Sequence, residues 1–412
     1  MNRIRRIATS ILILTLAAAA GADSWPRWRG PNQDGISTET GLLDAWPPGG
    51  PPEVWRAKVG VGFSGVIVAD GNVCTQFSDG KDEVLACFDA ATGEERWRAA
   101  IGKHWQNGFR DYHGARATPA VDGGRIYAGS AHGSVHGFDL GSGKPLWSRD
   151  FVAEMGAKPP LHGYALTPLV DGGRVVFNPG GKDGHGLVAL DKDTGRTVWA
   201  SLDDPPAYAA PIAIEVDGQR QIVFFTAKGA VGVAAADGAE LWRYPWTTQF
   251  DINAATPIYD APYLFIASEY DHGSALLKLS SKDGAAKAEE VWVSDGMQNK
   301  ISTSVLVAGH LYGFHRSFLA CVELATGEEK WRQRDFGTGS VAVADGKLLV
   351  LGDKGQLALA EVSPEGYREI SRADGIVGGQ RTWTVPTVAG GRLYLRDEEK
   401  LVCLDLRPAA GG

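Results

Sequence analysis

The chain has 412 residues and a formal net charge of −8, with 49 acidic side chains against 41 basic ones. That balance argues against nucleic acid or an anionic lipid surface as a partner. With 54 glycines, 13 tryptophans and no long helical period, the composition points to a turn-dense β architecture carrying a recurrent aromatic position.

Residues 1–22 read as an export signal. Arg3, Arg5 and Arg6 precede the apolar run Ile11–Ala20, and the small residues Ala20 and Ala22 stand before Asp23. The run is too short to span a bilayer, and no cysteine stands directly after it. We therefore expect an exported protein, periplasmic or extracellular, with neither a membrane span nor a lipid anchor. Loss of three arginines makes the mature chain more acidic still. Residues 23–52 form a leader rich in Trp, Gly and Pro. Trp25 and Trp28 are expected to pack on one end of the body rather than to meet a ligand. The segment 46–52 is a stiff proline linker. Glu53–Lys58 then reads as a strand with no partner before it.

From there one pattern recurs. Leu85-Ala-Cys-Phe-Asp-Ala-Ala-Thr-Gly-Glu-Glu-Arg-Trp97 returns as residues 135–147, 187–199, 231–242 and 319–331. Each copy is an apolar run, an acidic residue, a Gly turn and a strand carrying Trp, which is a β-hairpin signature. The tryptophans stand at 55, 97, 147, 199, 242, 292 and 331, and Ile370 takes the next place. A period of roughly 40–50 residues with short strands describes a propeller blade. Between the tryptophans lie second hairpins such as Thr118–Tyr127 and Thr167–Val176, joined by Asp-Gly-Gly. Each period thus holds four strands. Residues 384–406 supply three strands without a fourth, so Glu53–Lys58 should complete that blade. The expected fold is all-β, an eight-bladed propeller of four-stranded antiparallel blades spanning residues 53–408, with residues 409–412 as a tail.

The Leu-x-Ala-Leu-Asp-x-x-Thr-Gly-x-x-x-Trp repeat resembles the pyrroloquinoline-quinone (PQQ) type repeat. It is shared by quinoprotein dehydrogenases and by the assembly factor BamB, and the likeness covers about Pro51 to Pro408. The resemblance implies a propeller and leaves function open. Its enzymes carry adjacent cysteines beside the quinone, and calcium held by acidic and amide side chains. This chain has no Cys-Cys pair. Cys87, Cys321 and Cys403 share one slot of the repeat, where a small buried residue is wanted. Cys74 differs. A hairpin centred on residues 79–82 places it opposite Cys87, where an oxidising compartment permits a bridge.

In such a blade the loops between second and third strands, and those between blades, emerge on one face. Candidate binding residues therefore come from these loops: Arg110, Asp111, Tyr112, His113 and Arg116 in the first, then His162 and Tyr164, Asp251 and Asn253, His315 and Arg316, and Arg381 and Trp383. This mixture suits a polar or anionic ligand or an exposed peptide. The histidines are scattered without His-x-x-x-His or Cys-x-x-Cys spacing, so no metal site is expected. We expect a monomeric, non-catalytic scaffold that binds a protein or polymer partner and needs no cofactor. The alternative is an oxidoreductase using PQQ with calcium, or a metal, on alcohols or sugars.

Overall fold

Short β-branched runs separated by Gly turns fold back on one another, because each turn needs a positive φ that glycine supplies at little cost. A computed structural model describes residues 24–106, 113–282, 285–378 and 381–408. The strands form eight four-stranded antiparallel sheets, each paired in simple succession. In the first blade strands A to D are Ile67–Ala69, Asn72–Ser78, Asp82–Asp89 and Glu95–Lys103. Strands B and C are almost wholly buried, while D alternates towards solvent. In the eighth blade Thr387–Ala389, Arg392–Arg396 and Lys400–Asp405 are followed by Glu53–Lys58, with Trp55 opposite Cys403. The ends of the chain close the ring as expected, and this junction offers no unpaired edge.

The recurrent tryptophan binds one blade to the next. In strand D it stands beside a bulge, in most blades opposite a small residue of strand C: Cys87 for Trp97, Gly137 for Trp147, Cys321 for Trp331, with Leu276 facing Trp292 as the exception. A Cβ on Gly137 would lie 2.6 Å from the indole of Trp147, which explains the small slot. The indole Nε1 donates to a carbonyl of the following blade, from Trp97 to Leu140 at 2.8 Å and from Trp147 to Lys192 at 3.0 Å. Trp242 departs from this, donating within its own blade to Gln221 Oε1 at 2.8 Å.

Blade seven corrects the sequence reading. Its bulge falls between Leu359 and Ala360, so Ser371 rather than Ile370 occupies the tryptophan slot, and Ile370 turns outward. Ser371 Oγ accepts from the backbone N–H of Trp46 at 2.8 Å. Trp46 places its indole in the apolar cluster shared by blades seven and eight. The leader thus supplies an aromatic ring where the blade lacks one. A second departure is the five-residue helix Phe151–Met155 between blades two and three, capped by Asp150.

The leader does more than cover one end. Trp25 pairs with Val68 of blade one, Pro26 accepts from Val121 of blade two, and Arg27 reaches Val170 of blade three. Gln33, Trp28 and Arg29 bond to Pro211, Thr256 and Thr303 of blades four to six. Ile36 pairs with Val343 of blade seven, and Leu43 donates to Leu406 of blade eight. All eight blades hold the leader, mostly at or beside their innermost strands. Arg29 is 1% exposed and donates to the carbonyls of Gln33, Asp34, Thr303 and Ser304. Burial pulls its pKa down to about 10.

Cys74 and Cys87 are disulfide-bonded across the B–C hairpin of blade one, in the register 74–87, 76–85 and 78–83. Cys321 and Cys403 are buried free thiols.

Candidate functional site

Each inter-blade loop delivers its last residues to the innermost strand, so successive loops converge on the axis. Seven of them wall a cavity of about 370 Å³. Trp28 of the leader forms its base, with the indole N–H bonded to Thr256 Oγ1 at 2.9 Å. Around it, threonines at the start of the innermost strands tie neighbouring blades. Gly65 N donates to Thr118 Oγ1 at 2.8 Å, Thr118 N to Thr167 Oγ1 at 3.1 Å and Thr256 N to Thr303 Oγ1 at 2.9 Å. These braces fix the cavity base in a rigid frame.

One wall is a ladder of cations and rings. The Arg116 guanidinium lies 5.4 Å from the Phe63 ring centre, Phe63 lies 5.0 Å from Trp383, and Arg381 lies 5.1 Å from Trp383. On another wall His162 donates its backbone N–H to Tyr208 Oη at 3.1 Å. Burial, with Arg116 adding to it, lowers the His162 pKa, so this imidazole is neutral at physiological pH. Lys300 pairs with Glu269 at 3.3 Å. Leu161, Phe250 and Tyr270 form the mouth, with Phe250 and Tyr270 edge to face at 6.1 Å.

Of the sequence candidates, Arg116, His162 and Trp383 line this cavity, and Arg381 stacks behind Trp383. Asp251 is exposed, close enough to Tyr208 to raise its phenol pKa further beyond the effect of burial. Tyr164 and Asn253 are not presented to solvent. Tyr164 is wholly buried and donates to Pro179 O at 2.9 Å. Asn253 holds Thr226 O, Trp246 O and Ser268 Oγ. Both brace loops from inside, which a loop position in the sequence does not distinguish from display. His315 and Arg316 belong to a separate polar cleft of about 450 Å³, where Arg316 pairs with Asp271 and His315 Nδ1 accepts from Gln298 N at 3.2 Å. His113 lies 5.7 Å from His104, ring to ring. Arg110, Asp111 and Tyr112 lie outside the described residues.

Polar loop residues are the minority of the lining; its apolar majority, including Trp28, Phe63, Leu161, Tyr208, Phe250, Tyr270 and Ile301, is not among the sequence candidates. Large apolar residues inside loops, such as Leu161 and Phe250, were the available signal.

A family model described as outer membrane protein assembly factor BamB matches residues 81–333 and 315–407. The chain belongs to this BamB-like, PQQ-type propeller family. The outer membrane protein assembly factor BamB of Shewanella oneidensis is 26% identical over 290 residues, 67% of this chain and 70% of that one. The crystal structure of BamB from Moraxella catarrhalis superposes with a TM-score of 0.61 at 17% identity, covering 86% of this chain and 99% of that one. Quinohemoprotein alcohol dehydrogenase from Comamonas testosteroni gives 0.65 at 12% identity, covering 95% of this chain and 82% of that one. At these identities the two solved structures show a shared fold alone.

The family's quinone–calcium unit can be tested against the donor set of the cavity. Calcium takes six to eight oxygen ligands, mostly carboxylate and amide. Among the described residues, the lining contains no Asp, Glu, Asn or Gln. The one disulfide among them ties strands B and C of blade one and does not line the cavity. These residues do not fit the unit.

Proposed function

We propose that this chain is an exported, non-catalytic propeller scaffold that docks a protein partner on its loop face, around the axial cavity. The observation that carries the reading is the cavity itself. Seven loops converge on a largely apolar, cation-edged concavity with a rigid base, suited to holding a group from a partner. The relatives named as assembly factors support a role in protein assembly, and the N-terminal signal pattern supports export. A photo-crosslinking amino acid at Phe250 should capture a protein of the exported compartment, whereas the same group at Val198, on the outer strand of blade three, should not. Equal capture at both positions refutes the assignment of the face. Dye-linked alcohol or sugar oxidation that depends on added quinone and calcium, well above a heat-treated control, overturns the scaffold reading in favour of an oxidoreductase.

A further inference from the structure

We propose that the polar cleft between blades five and six is a carbohydrate site, which takes one pyranose ring of an oligosaccharide by its hydroxyl groups. The cleft shares no lining residue with the axial cavity, so the inference goes beyond the scaffold reading.

The cleft is built around Gln298, which is 2% exposed. Its backbone N–H donates to His315 Nδ1 at 3.2 Å, and its carbonyl accepts from Arg316 N at 3.0 Å. Its Oε1 accepts from Arg316 Nε at 2.9 Å, and its Nε2 donates to the Asp295 carbonyl at 3.2 Å. One buried amide thus fixes three residues of the wall. Because His315 Nδ1 accepts, its ring proton sits on Nε2. Burial, with Arg332 adding to it, lowers the His315 pKa, so the imidazole is a neutral donor at physiological pH. The backbone is equally constrained. Asp271, Met297 and Arg316 have φ of 56°, 50° and 55°, from three different loops. Left-handed backbone is uncommon at such residues, and strain of this kind collects at ligand sites. Met297 is wholly buried and pegs its loop to the core, while Arg316 pairs with Asp271 across the other two.

The lining selects the ligand class. The cleft holds about 450 Å³, within the range of small-molecule sites. Among the described residues every lining side chain is polar, and the rest of the lining is glycine. An apolar group would leave these groups unpaired, which excludes a lipid tail or an aromatic side chain. Asp271, Asp295 and Glu329 stand against Arg316 and Arg332, so neither sign of charge prevails and a strongly charged ligand gains nothing. Such a wall interleaves fixed donors with fixed acceptors. A pyranose presents the matching surface: neutral, with neighbouring hydroxyls that each donate and accept. Glu329 and Arg332 are held to each other by two bonds of 2.6 Å, a planar pair able to receive adjacent hydroxyls.

The test is saturation-transfer NMR of the exported protein with the methyl glycosides of glucose, galactose, mannose and N-acetylglucosamine. At least one should bind saturably, with a Kd of roughly 1–10 mM, as expected for a single ring held by hydrogen bonds. Added salt should leave that binding unchanged, because the ligand is neutral. Asp295→Ala and Glu329→Ala should each weaken it by about tenfold with the melting temperature unchanged. Phe250→Ser, at the mouth of the axial cavity, should leave it unaltered. Absence of saturable binding by all four glycosides overturns the proposal, as does undiminished binding in either cleft variant. Loss of binding in Phe250→Ser overturns it in favour of the axial cavity. Tighter binding of inorganic phosphate or glycine than of any glycoside overturns it too, making the cleft an ion site.

Discussion

The guanidinium of Arg396, on the second strand of the last blade, donates to the carbonyl of Gln76, on the second strand of the first, at 2.7 Å. The same side chain reaches Thr75 Oγ1 at 2.8 Å and Gly60 O at 3.0 Å, and it is wholly buried. Among the described residues no carboxylate bonds to it; burial draws its pKa down to about 10, and the adjacent Asp397 opposes that only in part. A charge in the core is tolerated because both terminal arms of the fork meet carbonyls or a hydroxyl across the blade junction, while Nε meets the neighbouring Asp397 carbonyl at 3.2 Å.

Removing that fork leaves several buried acceptors unpaired. Arg396→Met should therefore destabilise the protein by more than about 3 kcal/mol, whereas Arg396→Lys should recover part of the loss. Thermal unfolding of the two variants against the parent checks this. A melting temperature unchanged in Arg396→Met would show that closure does not depend on it.

Closure also depends on Glu53–Lys58, the fourth strand of the eighth blade. Its deletion exposes the edge of Lys400–Asp405 and should yield aggregated protein on size-exclusion chromatography. The leader contributes separately. Trp46→Ala removes a buried indole from the cluster of blades seven and eight and should cost about 3 kcal/mol without dissociating the ring.

Four cysteines and one disulfide predict a thiol count. Two thiols per chain should react in denaturant, and all four after reduction. In the native protein neither Cys321 nor Cys403 should react, because burial raises each thiol pKa to about 11. Four reactive thiols in unreduced, denatured protein would exclude the bridge.

Glu83 makes stability fall with rising pH. It is wholly buried, and desolvation pushes its pKa from 4.5 up to about 7, opposed by the Ala131 N–H and by Arg116. Between these two values the folded state holds a proton that the unfolded state has released, so stability declines as pH rises through the window and the penalty is complete above about 7. Its full size is about 3 kcal/mol. Glu83→Gln should melt higher than the parent at pH 8 and nearly level with it at pH 4. A parent-like difference between those pH values in the variant would assign the effect to another group.

The architecture was legible from residues 53 to 406 because each element of it is local. The Asp-Gly and Thr-Gly turns set each hairpin, the alternation of apolar residues sets the buried face, and the spacing of Trp97, Trp147 and Trp199 sets the blade. The pairing of Cys74 with Cys87 followed from the same hairpin register. What only the tertiary structure decided lies between blades. A one-residue bulge moves the blade-seven slot from Ile370 to Ser371, and the ring that serves there, Trp46, comes from 325 positions away in the chain. Trp28 is brought beneath Arg116, Tyr208 and Trp383 because the leader is gripped by all eight blades, and no local pattern encodes that path. Loop polarity in the sequence also cannot separate a displayed residue from a brace. Asn253 satisfies buried carbonyls and Phe250 stands in water, the reverse of what side-chain polarity alone suggests, because loop backbone must be paired wherever it is enclosed.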